Sequence, residues 1–117
     1  MSTVTTRTYH DIRQALLGSE ELALIDVREE DPFAQEHPLF AANIALSKLE
    51  LEVYARIPRR DTAITVYDAG EGLAAVAAER LLALGYSDVA LLEGGLEGWR
   101  SAGGELFRDV NVPSKAC

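Results

Sequence analysis

Residues 63–85 constrain this chain more than any other stretch: AITVY, then DAGEG, then LAAVAAERLLAL closed by Gly85. Ile64, Val66 and Tyr67 are β-formers, whereas Leu73, Val76, Ala77, Leu81 and Leu84 recur at helical spacing, with Gly70 and Gly72 letting the backbone turn sharply between. The pattern predicts a strand, a tight loop and a helix. Such a loop aims several backbone N–H groups into one small space at the positive end of the helix, a cradle for a thiolate, persulfide, phosphate or other anion. Here the loop opens with Asp68, itself an anion, and Glu71 follows three places later, so an anionic guest is repelled from a cradle otherwise shaped for one.

The rest of the chain alternates in the same way. Residues 1–7 read as a short arm, and 9–17 as a helix with Ile12, Ala15 and Leu16 on one face, Asp11 in its first turn and Gly18 just past its end. Residues 22–27, LALIDV, form the near-continuous apolar run of a strand buried on both faces. Ligands of open parallel sheets bind beyond the carboxyl ends of the strands, which makes Asp26 and Arg28 candidates for the border of a site; the simpler role is to pair and fix loop geometry. A short helix is expected over 32–36, with Phe33 in the core and His37-Pro38 ending it. A strand follows at 43–46, and Ser47-x-x-Glu50 matches a capping box opening a helix to about residue 56. Residues 89–92 give a further strand, 93–95 a tight turn, and 96–102 a helix anchored by Trp99. This order predicts an α/β domain with a mainly parallel sheet covered by helices on both faces, spanning 1–105. Residues 106–117 lose periodicity and read as a C-terminal tail or the start of an interdomain linker.

Composition narrows the functions. With 11 Lys+Arg against 19 Asp+Glu the net charge is −8, and no Lys/Arg cluster beyond Arg56, Arg59 and Arg60 offers nucleic acid a basic face. No apolar run reaches the length of a membrane span and the N-terminus lacks the apolar stretch of a secretory signal, so the cytoplasm is the expected compartment. The single cysteine, Cys117, is the last residue and is a poor candidate nucleophile. His10 and His37 have no partner ligands nearby in sequence, and neither a metal nor another cofactor is expected. Gly70-x-Gly72-x-x-Ala75 matches a dinucleotide-binding pattern, but Asp68 and Glu71 would flank the pyrophosphate. Asp68 as a phosphoryl acceptor lacks neighbouring carboxylates for Mg²⁺.

Two segments in order, LIDVREEDPFAQEHPLFAANIAL at 24–46 and ITVYDAGEGLAAVAAERLLALGYSDVALLEGGLEGW at 64–99, resemble the rhodanese-like (sulfurtransferase) family over nearly the whole chain. The resemblance implies a three-layer fold with a five-stranded sheet, and it makes residues 68–73 the active-site loop. In active members position 68 is a persulfide-carrying cysteine, and a basic residue commonly closes the loop; here Asp68 and Leu73 hold those places, with Ala69, Gly70, Glu71 and Gly72 between. The stretch is similar to the non-catalytic domains of tandem and multidomain rhodaneses, which implies a silent module beside another rhodanese domain of the same parent chain, with a structural or interaction role. The competing reading is an independent sulfurtransferase, or an enzyme binding a small anion or nucleotide at loop 68–73.

Overall fold

The computed structural model describes residues 4–18 and 21–109. Among them, strands β1 (Thr5–Arg7), β2 (Leu22–Asp26), β3 (Ala41–Asn43), β4 (Ala63–Tyr67) and β5 (Val89–Leu92) alternate with helices α1 (Tyr9–Leu17), α2 (Glu30–Gln35), α3 (Leu49–Arg56), α4 (Leu73–Ala83) and α5 (Gly95–Ser101). The strands form one sheet in the order β1-β5-β4-β2-β3. Every pairing is parallel, so the sheet expected to be mainly parallel is entirely so.

Alternation along the strands divides the core in two. Ile64 and Val66 of β4, with Ile25 and Val89, pack beneath α3 and α4 against Leu49, Val53, Ala77 and Leu81. Leu24, Tyr67 and Leu92 turn to the opposite face and meet Ile12 of α1 and Leu96 and Trp99 of α5. Trp99 is 7% exposed, donates its indole N–H to the Glu105 carbonyl at 3.0 Å and meets Tyr9 edge-on, which makes it the anchor expected.

Several local expectations are corrected. The arm before Thr8 contains β1, which pairs with β5 and is pinned by Arg7, whose guanidinium reaches the Ile64 carbonyl (3.1 Å), the Thr65 hydroxyl (3.0 Å) and Asp88. The third strand lies at 41–43 rather than 43–46. No capping box forms at Ser47: its hydroxyl donates to Glu29 at 2.9 Å, and a 3₁₀ turn at Leu46–Lys48 precedes α3. The reciprocal cap sits at α1 instead, where the Thr8 hydroxyl accepts from the Asp11 N–H at 3.1 Å and the Asp11 carboxylate from the Thr8 N–H at 2.9 Å. Phe33 is half-buried and stacks on His37 at 4.1 Å rather than entering the core, because α2 buries none of its residues.

His37 is a satisfied loop histidine. Nδ1 lies 2.8 Å from the Pro38 carbonyl and Nε2 lies 2.9 Å from Asp109, while its backbone exchanges two hydrogen bonds with Phe107. Residues 106–109, read from sequence as the start of a tail, are thus laced to the body, and the Asp109 N–H also reaches the Ala34 carbonyl at 2.8 Å. Cys117 lies outside the described residues.

Candidate functional site

The loop between β4 and α4 emerges at the carboxyl end of the central strand. Gly72, at φ +84°, makes the left-handed turn into the helix. Asp68 is 8% exposed, and its two carboxylate oxygens divide the work: Oδ1 accepts from the Gly70 N–H at 2.9 Å and Oδ2 from the Ala74 N–H at 2.8 Å. The first contact is an Asx-type turn; the second ties the loop to the first turn of α4, where a negative charge also meets the helix dipole. Glu71 fills a further place, accepting from the Ala69 N–H at 2.7 Å. Carboxylates of the chain itself therefore occupy three N–H groups in and beside the cradle.

The loop is clamped from α5. The Leu96 N–H donates to the Asp68 carbonyl at 2.9 Å. Gly95 has φ +59°, and a Cβ placed on it would lie 2.6 Å from that carbonyl oxygen, so both conformation and space require glycine there. The sequence shows Glu93-Gly94-Gly95 only as a tight turn; its role as the wall of the loop depends on the packing of β5 beside β4. The shallow depression above the loop, about 300 Å³, is lined by Tyr67, Asp68, Gly70, Gly72 and Gly95 among others. Leu73, where a basic residue would close the loop, packs against the apolar core under α4 instead.

Asp26 and Arg28 pair with each other. The Arg28 guanidinium donates to both Asp26 oxygens, from Nη2 at 2.7 Å and from Nε at 3.0 and 3.1 Å, and Nη2 also reaches the Glu36 carbonyl at 2.7 Å. At 0% and 6% exposure they are a buried clasp tying the exit of β2 to the end of α2. Burial alone would lower the pKa of Arg28, but hydrogen bonding and charge from Asp26 outweigh it and hold the group above its ordinary value.

One buried group near this clasp was invisible to sequence. The Tyr67 hydroxyl has no hydrogen-bond partner among the described residues. Burial pushes its ionisation well up, and the Asp26 charge acts in the same direction, so the ring stays neutral. A buried hydroxyl without a partner costs stability rather than adding it. Tyr67→Phe is expected to be as stable as the parent or more stable by up to about 1 kcal/mol in urea unfolding; a loss of that size would mean the hydroxyl is bonded.

No group of three His, Cys, Asp or Glu side chains among the described residues could hold a metal, and no helix there is long and apolar enough to cross a membrane.

Known proteins agree with this architecture. The family model for the rhodanese-like domain matches residues 10–102. An uncharacterized protein of Synechocystis sp. is 30% identical over 112 residues, covering 95% of this chain and 59% of the relative. The thiosulfate sulfurtransferase of Pseudomonas aeruginosa superposes with a TM-score of 0.90 at 78% identity, over 97% of this chain and 22% of that one. The Alr3790 protein of Anabaena sp. follows with a TM-score of 0.83 at 25% identity, over 94% and 87%. The chain thus spans about six-tenths of its curated relative and about a fifth of the P. aeruginosa protein. A family match running from α1 through α5, on a five-stranded parallel sheet whose β4–α4 loop forms the cradle, means that this chain belongs to the rhodanese-like domain family.

Proposed function

We propose that this chain is a rhodanese-like domain without sulfur-transfer chemistry of its own, working in a longer thiosulfate sulfurtransferase through contact with another rhodanese domain. The observation that carries this reading is the Asp68 carboxylate bonded to the Gly70 and Ala74 N–H groups, at the position where the family resemblance puts a sulfur-carrying cysteine. A sulfane sulfur is held as an S–S bond to a thiolate and then attacked by an acceptor nucleophile. A carboxylate forms no such bond. Glu71 adds like charge, and Leu73 removes the cation that would offset an anionic donor. The 78% identity to a thiosulfate sulfurtransferase, over only 22% of that protein, supports a longer parent with the chemistry placed elsewhere. The cytoplasm, where thiols stay reduced, is the compartment this reading assigns.

Thiosulfate and cyanide supplied to the isolated chain should yield thiocyanate no faster than a denatured control. Cys117 is the one thiol able to mislead. Turnover that persists in Cys117→Ser would overturn the reading in favour of an independent sulfurtransferase.

A further inference from the structure

A second depression lies away from the loop, where α1, residues 39–40 and the segment 103–107 enclose a groove of about 370 Å³. Four large apolar side chains line it while open to solvent: Leu17 at 69% exposure, Phe40 at 63%, Leu39 at 57% and Phe107 at 38%. Tyr9 and Trp99, edge-on with centroids 4.7 Å apart, also line it. Aromatic and aliphatic groups concentrated in one patch, with few charges, form the composition of an interface core rather than of an ordinary surface. Among the described residues the other large exposed apolar side chains, Leu51, Tyr54 and Val76, stand on α3 and α4 across the sheet and line no part of this groove.

We infer that this groove receives an apolar face of an adjoining domain of the same parent chain, an inference that rests on the function proposed above. The P. aeruginosa protein, at 78% identity, has more than three-quarters of its length outside the match, so a protein this similar carries further chain from which an occupant can come. A second copy of the chain is the weaker occupant, because each copy brings a net charge of −8 to the encounter. Among the described residues the charges lining the groove are Arg13, whose guanidinium donates to the Tyr9 hydroxyl at 2.9 Å, and Glu105; they offer no field of one sign to select a nucleic acid or a strongly charged peptide. A domain pair docked through such a patch typically buries about 600–1,500 Å².

The test is amide hydrogen exchange on the full-length parent, alongside the parent carrying Leu17→Arg with Phe40→Glu. Both positions are more than half exposed, so the domain keeps its fold, and far-ultraviolet circular dichroism on the same samples checks this. Amides of residues 39–41 and 103–107 are expected to exchange about tenfold more slowly in the parent than in the double variant, with Leu51→Glu leaving the parent's rates unchanged. Equal exchange in parent and double variant would overturn the inference. So would sedimentation showing that the full-length parent dimerises and that Phe40→Glu splits the dimer, since a second copy would then be the occupant. The thiocyanate assay separates the two proposals: turnover by the isolated chain beside a protected groove in the parent removes the silent reading and leaves the docking surface standing.

Discussion

Asp26→Ala is expected to lower folding stability by about 3–5 kcal/mol, which in a domain of this size lowers the melting temperature by about 15 °C or more. The cause is the partner left behind. Arg28 is almost fully enclosed, and three of its guanidinium contacts and its own N–H end on the two Asp26 oxygens; without them a buried cation keeps only the Glu36 carbonyl. Removing both charges together, as in Asp26→Leu with Arg28→Met, should cost much less, because neither desolvated charge remains. Urea unfolding of Asp26→Leu, Arg28→Met and the double variant measures the coupling. A single-variant loss below about 1 kcal/mol would mean that water reaches the clasp and that it behaves as a surface pair.

Asp68→Cys is expected to leave the chain inactive, with the introduced thiol titrating no lower than the ordinary value of about 8.5. The carboxylate spans the Gly70 and Ala74 N–H groups with two oxygens, whereas a thiolate offers one sulfur, and Glu71 stays in place on the Ala69 N–H with its negative charge. Adding Glu71→Gly and Leu73→Arg frees one N–H and replaces repulsion by attraction, which should lower the thiol pKa by at least about 1 unit. Alkylation rate against pH reads both values. A single variant already titrating well below 8.5 would show that backbone N–H groups outweigh the local charges in this loop.

What the sequence made legible was the part ruled by local pattern. The β4–α4 unit, α1 and β5 came from apolar spacing and glycine punctuation, because those segments bury a continuous face. β1 was missed since Thr5, Thr6 and Arg7 carry no apolar signal; its place is set by pairing to β5, a partner remote in sequence, and by an arginine reaching on to β4. Ser47 failed as a cap because its hydroxyl found Glu29, again a distant partner. The candidate site divided along the same line. Asp68, Glu71 and Leu73 could be named as the residues that alter the loop, but the clamp by Leu96, the close approach of Gly95 and the orphaned Tyr67 hydroxyl arise only when β5 and β2 lie on either side of β4.

The strand order also dictates a schedule for the chain as it leaves the ribosome. β1 is made first, yet its partner β5 is the last strand of the sheet to appear, with Thr5 matched to Ala90. At about 5–20 residues per second the segment waits on the order of ten seconds before a neighbour exists. During that interval β2, β3 and β4 can already assemble, each finding its neighbour within the emerged chain. A polar Thr-Thr-Arg strand tolerates the delay, since it exposes nothing adhesive while unpaired, whereas an aliphatic strand in its place would be open to capture by other nascent chains. The weak sequence signal that hid β1 is thus the property that lets it wait.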